Sequence, residues 1–299
     1  MTMAQAEPRE LDGTRGWWMR DLHMFGTAGY GVVYVLDASP PVVVDTGMGR
    51  HTGLICDLLD RLEVDRAAPI TILLTHVHLD HAGGVAQLCA AFPDAQVFVH
   101  GRGAPHLADP SRLIAGTKRA VGGMWRYYDP PAAVDPDRIR TVEDGELLEV
   151  GDRRFTAHAA PGHAPHQLIY HDHTADLLFC GDAMGIRLPD SNRVFASTPP
   201  PQFDLAQSRA DVAMIADREP AGLCYAHHGY RRFDQGVATQ YDRTLSQFVD
   251  ETTQALQRHP LERVIDAVAA EYDAAAVWGE EKTRAEASLN VRGVAAMDG

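Results

Sequence analysis

Residues 70–84, ITILLTHVHLDHAGG, set a continuous apolar run directly ahead of three histidines and an aspartate packed between His76 and His81. A short unbroken apolar run of this kind belongs to a strand covered on both faces. Any fold for this chain must therefore bring a polar, ligand-rich loop to the end of a buried strand. A small-residue helix from Gly84 to about Ala91 and a strand at 95–100 follow. They complete a β-loop-α-β unit, whose ligands gather at the carboxyl ends of its strands. Histidine supplies 15 of 299 residues, so a chance H-x-H-x-D-H in the chain has odds on the order of a few in a thousand. In an extended loop an i, i+2 pair such as His76 and His78 can point both rings one way, while Asp80 and His81, a turn further on, can face a second ion. Imidazole and carboxylate are ligands that suit Zn, Mn or Fe. His23, His51, His106, His171 and His173 stand alone and read as ordinary hydrogen-bonded histidines.

The unit sits inside a longer alternation of β-rich and helical segments. GVVYVLD (31–37) and PVVVDTG (41–47) read as a hairpin, and residues 52–62 carry helical spacing through Leu54, Ile55, Leu58, Leu59 and Leu62. In the second half LLEVGDRRFTAHAAPGH reads as another hairpin, QLIYHD and DLLFCGD as strands, DLAQSRADVAMIADR as a helix and AGLCYAHHGY as a last short strand. Residues 236–274 read as helical, with Tyr241, Leu245, Phe248, Val249, Thr252 and Leu256 on one stripe. The final twenty or so residues are Ala-rich and weakly patterned, which predicts a frayed end. The organisation expected is an N-terminal extension (1–21), one main domain (22–235) with a lid-like insertion (101–137), and a C-terminal helical extension (236–299).

Charge and cysteine usage narrow the function classes. The formal charge is -14, from 41 acidic against 27 basic residues, with no Lys/Arg block. Nucleic acid is therefore a poor partner. Cys56, Cys89, Cys180 and Cys224 are scattered in apolar stretches without C-x-x-C spacing and read as reduced thiols. No run approaches 18 continuous apolar residues, so no membrane association is expected and a cytoplasmic location is the default.

The motifs together resemble the metallo-β-lactamase superfamily. The H-x-H-x-D-H loop is joined in order by VVVDTG with Asp45, PGHAPHQ with His163, CGDA with Asp182 and a late strand-end histidine in YAHHG. The resemblance spans roughly residues 22–232. It implies an α+β, four-layer αββα sandwich with the site at one edge between two sheets, followed here by C-terminal helices. It also implies two divalent ions, Zn foremost with Mn or Fe as alternatives. His76, His78 and His163 would hold one, Asp80, His81 and the late histidine the other, and Asp182 would bridge. The segment STPPPQFD, a helix, then YAHHG is similar to a branch with TPPP and a strand ending Thr-His-Phe-Gly. That register favours His227 as the ligand and His228 as a residue lining the pocket, whereas the placing of the ligand directly before a glycine in many relatives would favour His228.

Two such cations sharing a water lower its pKa and leave a hydroxide aimed at an electrophile, with the second ion taking up charge on the leaving group. Asp80 is the candidate proton shuttle. Asp45 is placed to fix a ligand imidazole from behind, or is an ordinary strand-end turn residue. His166 either lines the pocket or caps its loop. The insertion carries Arg112, Lys118, Arg119, Trp125, Tyr127 and Tyr128 between glycines and prolines. Arg112 and Tyr127 are its candidate substrate contacts, against the alternative of a solvated loop. The expected function is a hydrolase acting on an ester, lactone or thioester of a small molecule, with the oligomeric state open. A mononuclear Fe(II) enzyme of the persulfide-dioxygenase type using His76, His163 and Asp182 remains an alternative, as does a metal-stabilised binding protein without turnover. An oxygen reductase would need a flavodoxin-like domain, which nothing after residue 232 resembles.

Overall fold

The computed structural model describes residues 7–188 and 193–297. Its first sheet has seven strands in chain order: β1 (Arg9–Glu10), β2 (Trp17–Asp21), β3 (Val32–Leu36), β4 (Val42–Val44), β5 (Thr71–Leu73), β6 (Gln96–His100) and β7 (Ile139–Val142). Strands β1 to β4 pair antiparallel and β4 to β7 parallel. Each parallel step needs a crossover. The crossovers are α1 (Thr52–Arg61), then α2 (Leu79–Ala82) with α3 (Val85–Ala91), then the insertion with α4 (Ala104–Ala108) and α5 (Ser111–Val121).

The second sheet contains β8 (Leu147–Val150), β9 (Arg153–Ala159), β10 (Leu168–Asp172) and β11 (Leu177–Gly181). A two-stranded ribbon, β12 (Ile186–Arg187) with β13 (Val194–Phe195), and helix α6 (Leu205–Arg218) then precede β14 (Gly222–Tyr225) and β15 (Gly229–Arg232). The spatial order is β15-β14-β11-β10-β9-β8, with only the β11–β14 pair parallel.

Strand alternation explains the layering. In and just beyond β5, Ile72 and Leu74 face α1 and α3, whereas Leu73 faces the second sheet. In β10, Ile169 packs towards α6 while Leu168 and Tyr170 point into the space between the sheets. That space is filled by Trp17, Tyr34, Phe98, Phe155 and Phe179. Each such side chain contributes about 1.5–3 kcal/mol of burial. The result is the four-layer αββα sandwich expected from the sequence.

The ends of the chain depart from expectation. Residues 9–21, set apart as an extension, supply two strands, and the indole of the fully buried Trp17 donates to Asp172 of the other sheet at 2.8 Å. The helical stretch after residue 235 is divided into α7 (Gln235–Leu256) and α8 (Leu261–Tyr272), because Pro260 cannot continue a helix. After α9 (Ala275–Trp278), the segment expected to fray forms α10 (Glu280–Ala296), with Ala287, Val291 and Val294 buried. Gly293 seats it: a Cβ there would lie 1.6 Å from the Thr198 carbonyl oxygen. No described helix is long and apolar enough to cross a membrane.

Candidate metal centre

Every element that reaches the site does so at a strand end. Asp45 follows β4 with φ +59°, and the His76–His81 loop follows β5. His163 and His166 lie between β9 and β10, Asp182 follows β11, and His227 follows β14. The stretch from Thr75 to His78 is too short to close over itself, so alternate side chains turn into one space between the sheets.

Three ring nitrogens converge there. His76 Nε2 lies 3.0 Å from His78 Nδ1, and His163 Nε2 lies 3.1 Å from the same atom. At most one of these contacts can be an ordinary hydrogen bond, because His78 Nδ1 offers a single in-plane site, either one N–H or one lone pair. The far nitrogens are held from outside: His76 Nδ1 meets Thr75 Oγ1 at 3.1 Å, and His163 Nδ1 meets Ser197 Oγ at 3.2 Å. Burial pushes the His76 and His163 pKa values well below the ordinary range, helped by their histidine neighbours. In both rings burial thus favours the neutral imidazole, with one N–H and one lone pair.

The second group stands beside the first. His81 Nε2 is 3.4 Å from Asp182 Oδ1 and 3.9 Å from Asp80 Oδ2. His227 Nε2 lies 3.5 Å and 3.8 Å from the same two oxygens. The other oxygen of Asp182 is 3.6 Å from His163 Nε2, so one carboxylate spans both groups. Behind His81, its Nδ1 is 3.0 Å from Asp45 Oδ2. Asp45 also accepts from the Thr75 backbone N–H at 2.8 Å and from the Thr75 hydroxyl.

These residues fit divalent ions. The sets His76, His78, His163 and Asp80, His81, His227 each bring three donor atoms within 4.8 Å of one another, as do His76, His81 and Asp182. Donors around a tetrahedral ion with bonds of about 2.1 Å stand roughly 3.4 Å apart, the spacing found here. Among the described residues, the buried atoms His81 Nε2 and Asp182 Oδ1 make no hydrogen bond and have only their ion-pair contacts, a position that an ion between them would satisfy. Burial opposes charge on His81, but Asp182, Asp80 and Asp45 outweigh it and lift its pKa to about 10. Burial, opposed by His81 and aided by Asp80 and Asp45, raises Asp182 to about 7. The carboxylates thus hold a positive charge at the spot a cation would occupy.

The centre opens into a cavity of about 590 Å³. Arg112 and His166 line it, the His166 ring 5.7 Å from that of His78. Two expected residues fall elsewhere. The Tyr127 hydroxyl donates to Glu281 at 2.9 Å, and its neighbour Tyr128 lines the cavity in its place. His228, expected in the pocket, has φ +68°, and its ring lies away from the cavity, accepting from Trp278 Nε1 at 3.2 Å with the two rings near-parallel. Sequence reading missed Tyr30, whose ring sits 4.4 Å from His227, and the buried pair Lys282–Glu286 that contacts its hydroxyl. It also missed Ser197, whose signal was its place in ASTPPP just before the prolines that wall the cavity.

The metallo-beta-lactamase superfamily model matches residues 26–227, and the chain belongs to that superfamily. Among curated relatives it is 31% identical over 159 residues to the acyl-coenzyme A thioesterase MBLAC2 of Bos taurus, covering 48% of this chain and 54% of the relative. It is 28% identical over 186 residues to the hydroxyacylglutathione hydrolase of Serratia proteamaculans, covering 62% of this chain and 56% of the relative. The chain thus spans about half the length of these relatives. Among solved structures, the archaeal superfamily protein ST1585 from Sulfolobus tokodaii superposes with a TM-score of 0.71 at 22% identity, over 94% of this chain and 98% of that one. BJP-1, a subclass B3 metallo-beta-lactamase of Bradyrhizobium japonicum, gives 0.61 at 23% identity, over 84% and 95%.

Proposed function

We propose that this protein is a dinuclear metal-dependent hydrolase that cleaves the thioester of a small molecule. The observation carrying the reading is the pair of three-residue donor sets spanned by Asp182, opening onto one cavity. In this reading His76, His78 and His163 hold one ion, Asp80, His81 and His227 the other, and Asp182 reaches both. Zn is the first choice, with Mn or Fe as alternatives. Bound divalent ions would supply an activated water and polarise the scissile carbonyl.

The chain's own residues do the rest. Asp45 keeps the proton of His81 on Nδ1 and so aims Nε2 inward. Ser197 does the same for His163 from its far side. The Asp80 carboxylate lines the cavity beside His227 and is placed to carry a proton from the attacking water towards the leaving group. The thioester preference is supported by the thioesterase and hydroxyacylglutathione hydrolase relatives; the cavity alone would accept an ester or lactone.

Metal analysis of untagged protein combined with a screen of thioester, lactone and phosphodiester substrates tests the proposal. About two metal equivalents per chain and release of free thiol are expected. Full activity with a single iron and oxygen consumption would replace it with the mononuclear oxidative reading, and turnover of lactones alone would remove the thioester.

A further inference from the structure

Besides its histidines, six acidic or basic side chains among the described residues line the cavity: Asp80, Asp182, Glu286, Arg112, Arg119 and Arg292. The two aspartates face the donor sets. Glu286 is matched by Lys282, itself buried, and by the Tyr30 hydroxyl at 2.8 Å. Arg292 is held by Glu262 at 2.9 Å and by the Ser288 hydroxyl at 3.1 Å. Arg112 and Arg119 remain, and among the described residues neither joins an ion pair. Asp109 is the acid nearest in influence to Arg112, but its Oδ1 accepts from the backbone and hydroxyl of Ser111.

The two arginines are seven residues apart on α5. Seven residues bring a helix round to the same face two turns on, roughly 10 Å along the axis. Both side chains are exposed at the mouth of the cavity, while Leu113 and Ala120 beside them, with Leu261 and Leu289 opposite, form apolar wall. In a chain of net charge -14 the general field repels anions, so two unmatched guanidinium groups turned to a binding cavity stand out. Guanidinium is the planar fork that takes carboxylate or phosphate through paired hydrogen bonds.

We propose that Arg112 and Arg119 form a two-point anion clamp, so that the preferred thioester joins an apolar acyl group to a thiol carrier bearing separated anionic groups. The proposal deepens the thioesterase reading and rests on it. The acyl group lies against the apolar wall and the carrier leaves past α5. Phosphate and carboxylate carriers share this chemistry.

The test uses one acyl group, octanoyl, on three carriers: coenzyme A, glutathione and uncharged N-acetylcysteamine. Wild type favours an anionic carrier over the neutral one. In the double variant Arg112→Ala, Arg119→Ala that ratio of kcat/KM falls about tenfold, through KM, the size expected of two exposed contacts. The double variant Arg112→Lys, Arg119→Lys keeps part of the preference. A fall confined to the coenzyme A ester assigns phosphate, and one confined to the glutathione ester assigns carboxylate. An unchanged ratio, or equal losses on all three carriers, overturns the clamp. If no thioester is cleaved, the functional reading fails, and calorimetry with the non-hydrolysable S-octyl thioethers of coenzyme A and glutathione judges the clamp alone. Weaker binding of either to the alanine variant sustains it, and equal binding of both overturns it.

Discussion

Asp45 Oδ2 stands 3.0 Å from His81 Nδ1, and the far nitrogen of the same ring is buried without a hydrogen bond 3.4 Å from Asp182. With an ion at Nε2, the carboxylate would hold the ring's remaining proton on Nδ1. Asp45→Asn offers that ring an amide that can donate as well as accept. Metal affinity should drop about 10- to 100-fold, read by competition with a chelator. Unaltered affinity would make Asp45 a support for the Thr75 backbone only.

Adjacent histidines at the end of β14 should separate cleanly. His227→Ala should lose about one metal equivalent together with turnover. His228→Ala should keep both equivalents and lose roughly 1–3 kcal/mol of stability through the orphaned indole N–H of Trp278. Elemental analysis and thermal melts on the two variants check this. Metal loss in His228→Ala alone would exchange the assignments.

Gly293→Ala drives a methyl into the Thr198 carbonyl and must displace α10. A cost of about 1–3 kcal/mol is expected. Because Glu286, Leu289 and Arg292 of the same helix line the cavity, kcat/KM should fall while metal content holds. A normal melting temperature would mean that the helix tolerates the shift.

Asp211, which holds the Gly162 backbone next to His163, gives a pH signature in stability. Burial raises its pKa to about 7, against the opposing hydrogen bond from the Gly162 N–H and with help from Asp204. Its folded value lies above its unfolded one, so the native state binds the extra proton between about pH 4 and 7. Its contribution to stability is therefore lost as pH rises through that window. Asp211→Asn should melt increasingly above wild type from pH 5 to pH 8, and a pH-independent difference would refute the assignment.

The donor loop is legible in the sequence because its chemistry and its strand are contiguous: ITILLT fixes the buried strand, and the next residues have nowhere to go but its end. The sandwich is legible only through the resemblance, since β5 and β10 are buried on both faces and their apolar runs do not say which face meets which layer. α10 is hidden because Lys282, Glu286 and Asn290 are polar yet buried. A reading that sends polar residues to solvent finds no stripe there. Tyr127 and Tyr128 were inverted because neighbouring residues in a short irregular turn leave in directions no period predicts. β2 was overlooked because WWMRD, with Arg20 and Asp21 both buried, lacks the clean alternation of a half-exposed strand.

The position of α10 also sets an order of synthesis. Residues 76–227 leave the ribosome before residues 280–296 do, so every residue of the two donor sets precedes the wall carrying Glu286, Leu289 and Arg292. A chain cut short before α10 would keep all of those donors and lose that side of the cavity.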